Sequence, residues 1–274
     1  MNREEILSSP SMPVASPAYP RGPYRFIDRE YFIITYESDP EAIRAALPEP
    51  LEPDGSNTVL YEFIRMPDSS GFGDYTESGI VIPALYKGEH VNFTAQMYLD
   101  CDPPIAAGRE IWGFPKKLAT PRLGIVHDTM TGRLEYAGQP VAIATMAYKH
   151  RNLNYCPDHV DHCDYHAIEE KLGKTQVNLK LIPDVDGSHA IAQLVAYNLT
   201  DINVKGGWVS PARLHLIPHA NAPVADLPVR RIVEGRHFIA DLSLPYGRVL
   251  HDYLKPEHVE RKTEMERVVE AAEA

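Results

Sequence analysis

The sequence predicts a β-rich α+β fold, with antiparallel sheets closed or nearly closed into a β-barrel or cone and a few peripheral helices. Three observations carry that expectation. Short β-branched and aromatic runs recur along residues 30–244, and such residues suit pleated, half-buried surfaces. Turn-forming residues separate the runs at short intervals, as in sheets built from hairpins. No regular alternation of strands with long helices is visible, which argues against a doubly wound parallel sheet. Closure is expected because many antiparallel strands otherwise leave exposed edges.

Prolines at 10, 13, 17, 20 and 23 remove amide donors and bias their predecessors toward extended backbone, so residues 9–23 read as an arm. Glu30–Glu37 (EYFIITYE) has the composition of a strand. A short helix follows: Asp39 can cap it, Pro40 suits its first turn, Ile43 and Leu47 share a face, and Pro48 ends it. Thr58–Met66 reads as a strand, and the glycine-bearing stretch Pro67–Gly79 as a mobile loop. Ile80–Tyr86 and Val91–Asp100 flank a Lys87-Gly88 turn and read as a hairpin. Further strands are expected at Leu118–His127, Val141–Tyr148, Gln176–Ile182, Ala190–Asn198, Ala212–Leu216 and Phe238–Leu244. Residues 257–274 are charged and helix-prone. Residues 1–255 are therefore expected to form one domain, followed by a helical or frayed tail at 256–274.

Composition narrows the function. The 274 residues are 44% hydrophobic and 24% charged, which excludes disorder as the main state. A net charge of −11 argues against nucleic acid or anionic lipid as partner. An anionic substrate would need local positive charge to enter. Cys101, Cys156 and Cys163 make no disulfide framework and fit a reducing compartment. With no membrane-length apolar run and no apolar signal-like segment at the polar, proline-rich start, a cytoplasmic protein is expected. His150, Cys156, His159, His162, Cys163 and His166 include spacings that zinc can use. Their order matches no finger, so a polar surface insertion is the better reading and no metal is expected. No phosphate-binding glycine loop occurs.

The most informative segment is Gly108–Leu118, GREIWGFPKKL. Two adjacent lysines usually mark a solvated charged face. Here Trp112 and Phe114 lie close by, and an amine becomes nucleophilic only when apolar surroundings or a neighbouring cation strip its proton.

With the segments SPAYPRGPYRFIDREYF, YTESG, MYLDCDPPIAAGREIWGFPKKL, ATMAYKH, LIPDVDGS, SPARLHL and LPVRRIV, the chain closely resembles the acetoacetate decarboxylase family over roughly residues 6–255. The resemblance implies a carboxy-lyase that turns acetoacetate into acetone and carbon dioxide through a lysine Schiff base. No metal or organic cofactor is implied, since the iminium itself accepts the electron pair. Lys116 matches the Schiff-base lysine, and Lys117 the second lysine invoked to depress its pKa. Arg29, Glu62 and Glu77 fall on the family's polar active-site positions, and Met97 and Phe114 are expected in the pocket wall. Phe114 stands where some members carry tyrosine. Arg29 is the candidate for attracting the substrate anion. Glu77 would orient Arg29 or disfavour the bound carboxylate, and Glu62 would relay a proton. The implied partners are a small 3-oxo acid and further copies of the chain in a large homo-oligomer.

Outside the resemblance, Arg29 and Glu77 read as a structural ion pair, Glu62 as solvent-facing, and Met97 and Phe114 as core. Two other functions share parts of the pattern: a Schiff-base aldolase or dehydratase acting on another oxo acid, and a non-catalytic β-barrel that binds small ligands. Magnitudes weigh the two causes of a low lysine pKa. In extended backbone Lys116 and Lys117 point to opposite faces. Amines about 12 Å apart at an effective dielectric of about 20 repel by about 1.4 kcal/mol, or about one pKa unit. Full burial supplies about 3–5 units. Desolvation is expected to dominate unless a turn brings the two amines together.

Overall fold

The computed structural model describes residues 1–153 and 164–255. Cys156, His159, His162 and Cys163 and the tail at 256–274 lie outside the described residues. In chain order the first strands are β1 (Tyr24–Glu37), β2 (Leu51–Pro53), β3 (Thr58–Met66), β4 (Asp68–Ser69), β5 (Tyr75–Tyr86) and β6 (Glu89–Leu99). Next come β7 (Lys116–Leu118), β8 (Thr120–Val126), β9 (Thr129–Tyr136), β10 (Gln139–Ala147) and β11 (Arg151–Asn152). The last are β12 (Gln176–Pro183), β13 (His189–Tyr197), β14 (Thr200–Ser210), β15 (Ala212–Leu216), β16 (Arg231–Leu244) and β17 (Arg248–Asp252). The helices α1 (Arg3–Ser8), α2 (Pro40–Ala46), α3 (Asp102–Ala107) and α4 (Asp164–Gly173) are short. No helix among the described residues is long and apolar enough to cross a membrane.

The expected closure into a barrel or cone does not occur. Among the described residues the larger sheet has 13 strands on a path β11-β14-β16-β1-β3-β5-β6-β12-β13-β17, with β2, β4 and β7 as side branches. Its two ends do not pair. A second sheet of four strands runs β15-β10-β9-β8 and is also open. The edge problem is met another way: β11 is two residues long and β17 five, too short to template much further pairing. Two parallel pairings, β6 with β12 and β6 with β7, make the larger sheet mixed instead of purely antiparallel.

The 80–100 hairpin forms as expected, with Lys87 and Gly88 both at positive φ in its turn. Tyr75–Gly79, read as loop, instead opens β5 and pairs with β3. β9, unanticipated because Gly132 interrupts its pattern, accommodates that glycine for a packing reason. A Cβ there would lie 2.5 Å from the Phe63 ring. The smaller sheet thus packs onto the larger one through a ring that only glycine admits.

Strand alternation then divides the chain between two cores. Phe32, Ile34 and Tyr36 of β1 are fully buried in the core shared with the smaller sheet. Tyr31 of the same strand joins Ile64, Met97, Trp112, Phe114 and Phe238 in a second core on the opposite face. The second core surrounds the site.

Candidate active site

A cavity of about 380 Å³ opens on that second face. Arg29, Tyr31, Ile33 and Thr35 of β1 line it, together with Leu60, Glu62 and Ile64 of β3, which is what period-two alternation requires. β5 adds Tyr75 and Glu77, and β6 adds Met97.

The lysine arrives from a different kind of element. α3 runs directly into a π-helical turn at Gly108–Trp112, and Gly113 ends that turn at φ 77. Such turns are frequent at functional sites. Side chains from elsewhere satisfy the carbonyls it exposes. Lys180 Nζ donates to Ile111 O at 3.1 Å, and Asn178 Nδ2 donates to Trp112 O at 3.3 Å. Trp112 Nε1 donates to Pro245 O at 2.9 Å. Pro115 then leads into β7, where Lys116 sits beside Met97 of β6. Arg109 Nη1 donates to Lys116 O at 3.2 Å, fixing the lysine backbone from behind.

Lys116 is 6% exposed and Glu77 3%. Lys116 Nζ lies 3.1 Å from Glu77 Oε2, and Arg29 Nη2 lies 3.7 Å from Glu77 Oε1. One carboxylate therefore stands between the Lys116 amine and the Arg29 guanidinium. The Phe114 ring covers the amine with its centroid 4.9 Å from Nζ. Gly108 forms the floor beneath the lysine: a Cβ there would meet Cδ at 2.6 Å and Nζ at 3.2 Å.

Burial pushes the Lys116 amine below the ordinary lysine range; Glu77 opposes that shift and Arg29 assists it. Glu62 is half-buried by surface area because the cavity reaches it, yet it lies deep in the molecule. Burial raises its carboxyl to about 7, with Arg29 opposing and Glu77 adding to the rise. The site thus holds a base depressed toward neutrality and an acid raised toward it, the pairing that proton-transfer chemistry near neutral pH needs.

Arg29, Glu62, Glu77, Met97, Phe114 and Lys116 converge on this one cavity. Lys117 does not. It points to the other face of β7, donating from Nζ to Asn221 O at 2.5 Å, with the Tyr136 ring centroid 4.7 Å away. The cation that assists the depression of Lys116 is Arg29. Sequence reasoning missed Tyr31, Tyr75, Tyr197 and Gly108, all of which line the cavity. For Tyr31 a signal existed, since a strand residue two places after Arg29 must share its face. Tyr197 gave none, because β13 reaches the cavity only through the fold.

The sequence profile of the family described as Acetoacetate decarboxylase (ADC) matches residues 11–254. An acetoacetate decarboxylase of Paraburkholderia xenovorans (strain LB400) is 54% identical over 255 residues, covering 93% of this chain and 97% of that protein. One from Burkholderia vietnamiensis is 54% identical over 244 residues, covering 89% and 95%. The crystal structure of acetoacetate decarboxylase from Legionella pneumophila superposes with a TM-score of 0.83 at 52% identity, covering 91% of this chain and 96% of that one. The enduracididine biosynthesis enzyme MppR, 19% identical with a TM-score of 0.74 over 89% of this chain and 97% of its own, shares the fold. An almost full-length profile match, relatives identical at more than half their positions and a buried lysine in the matching segment lead to one conclusion: the chain belongs to the acetoacetate decarboxylase family.

Proposed function

We propose that Lys116 is the amine that carries acetoacetate through decarboxylation, with Arg29, Glu77 and Glu62 acting around it. The overall activity follows from family membership: the chain is a carboxy-lyase that converts acetoacetate, a small 3-oxo acid, to acetone and carbon dioxide through a Schiff base. The observation that carries the residue assignment is the burial of Lys116 beside Phe114, which lowers the cost of holding the amine neutral.

Neutral Lys116 Nζ adds to the ketone carbon. The carbonyl oxygen takes a proton from the amine and one more from an acid and leaves as water, giving a protonated imine. The bond between the α-carbon and the carboxylate then breaks. Carbon dioxide departs and the electron pair moves through the new carbon–carbon double bond onto the iminium nitrogen. Glu62, which holds its proton up to about pH 7, gives it to the enamine carbon. Water hydrolyses the acetone imine and restores the free amine. The net reaction consumes one proton, as loss of carbon dioxide from a carboxylate must. Arg29 draws the anion into an otherwise acidic protein, and Glu77 offsets the repulsion between the guanidinium and the cationic iminium once it forms.

An aldolase or dehydratase would share the imine, but the retention of Arg29, Glu62 and Glu77 together in the cavity favours decarboxylation. Borohydride reduction in the presence of acetoacetate, followed by peptide mapping, tests the nucleophile: label on the Lys116 peptide is expected, and label on Lys117 would refute the assignment. The same reading includes a large homo-oligomer in the cytoplasm. Exposed Leu118, Ile125 and Val126 on β7 and β8 and the proline-rich arm supply contact surface for neighbours. Sedimentation as a monomer of 30.7 kDa at micromolar concentration would refute assembly.

A further inference from the structure

We infer that the Tyr31 hydroxyl, together with the Arg29 guanidinium, holds the carboxylate of the substrate, an assignment that rests on the decarboxylase reading above. Tyr31 is 2% exposed, and its ring stacks on Phe238 with centroids 4.5 Å apart and planes 16° from parallel. The ring is therefore fixed from one side by packing. On the other side the Arg29 guanidinium lies 4.8 Å from its centroid. The side chain has its apolar partners, but its polar end has none: Tyr31 Oη is buried without a hydrogen-bond partner. Arg29 Nε is buried and unpartnered as well.

Buried polar groups in folded proteins nearly always find partners, so two unpartnered donors on one face of β1 call for an occupant. Burial holds the phenol above its ordinary pKa, so it remains protonated and able to donate. The occupant must therefore accept hydrogen bonds from a neutral O–H and a cationic N–H together, which is the chemistry of a carboxylate. Spacing agrees. Glu77 bridges Arg29 and Lys116, at 3.7 Å and 3.1 Å. A 3-oxo acid bonded through its ketone carbon to Nζ carries its carboxylate one methylene away, within reach of the Arg29 side of that bridge.

Tyr31 would grip the anion before the bond breaks and release it as neutral carbon dioxide forms. Such a contact binds the ground state more than the transition state, so its loss should raise KM while kcat holds or rises. Tyr31→Phe removes the hydroxyl and keeps the stacked ring. The expected result is a rise of about tenfold in KM for acetoacetate with kcat changed less than about threefold, in line with loss of one hydrogen bond to a charged group. Acetone, which has the ketone and lacks the carboxylate, should be trapped on Lys116 by borohydride at a rate within about twofold of the unmodified protein. An unchanged KM would overturn the assignment. So would an equal loss of acetone trapping, which would put the hydroxyl at the ketone end or in the structure alone. Failure of the unmodified protein to trap either ligand on Lys116 would instead overturn the Schiff-base assignment on which this one depends.

Discussion

A methyl group placed at Gly108 tests whether Lys116, the proposed nucleophile, occupies a slot that only glycine leaves open. In Gly108→Ala the new Cβ would stand 2.6 Å from Lys116 Cδ, 2.9 Å from Cε and 3.2 Å from Nζ. Carbon atoms in good contact sit about 3.5–4.0 Å apart, so the nearest approach is short by about 1 Å. The backbone at Gly108 has φ −60 and ψ −45, an ordinary helical conformation that alanine adopts without strain. The misfit therefore falls on the lysine side chain and not on the turn. Overpacking of this kind costs about 1–3 kcal/mol. Charged to the reactive placement of Nζ, that is about a 5- to 150-fold loss of kcat/KM. The assay is acetone formation from acetoacetate, alongside borohydride trapping and thermal unfolding. The expected outcome is lost turnover and slowed imine formation at a melting temperature equal to or above that of the unmodified protein. Full turnover would show that the lysine tail does not need the slot. Lost turnover together with a collapsed melting temperature would show that the strain enters the fold, and the reasoning from local backbone geometry would be wrong.

Lys117→Met should retain turnover within about threefold and move the acidic limb of the pH–rate profile by less than about one unit, because its ammonium points away to Asn221 O. Phe114→Ser should move that limb upward by more, since water admitted to Lys116 restores the charged amine; the reverse ordering would make charge repulsion the main activator. Glu77→Gln removes the anion that raises the Lys116 pKa, so the acidic limb of kcat/KM should shift to lower pH, and an upward shift would refute the assigned sign. Glu62 is held at about 7 in the fold against an ordinary 4.5, so the stability tied to its protonated form is complete below about 4.5 and lost as pH rises through about 7. Melting temperatures of Glu62→Gln and the unmodified protein should therefore compare more favourably for the variant at pH 8 than at pH 5, and equal differences at both would count against a buried, proton-holding Glu62.

Local patterns determined much of what the sequence revealed about this protein. The hairpin around Lys87-Gly88 was legible because a turn and two flanking runs are neighbours in the chain. The divergence of Lys116 and Lys117 followed from the sequence only on the condition of extended backbone; the fold supplies that condition in β7, where the two amines lie on opposite faces. Motif resemblance added the family and the chemistry. Sheet closure was a different kind of question. Strand lengths and turns specify hairpins, but whether β11 meets β17 depends on twist and on the pairings that β6 makes with β7 and β12, far apart in sequence. Gly132 hid β9 in the same way, because the Phe63 ring that justifies it belongs to another sheet. In the site, sequence supplied residue types, and the tertiary structure decided their environment. A lysine's pKa follows from what excludes water around it, and the Phe114 ring, Gly108 and the Glu77 carboxylate surround Nζ only once β5, β6, β7 and the π-helical turn have been brought together.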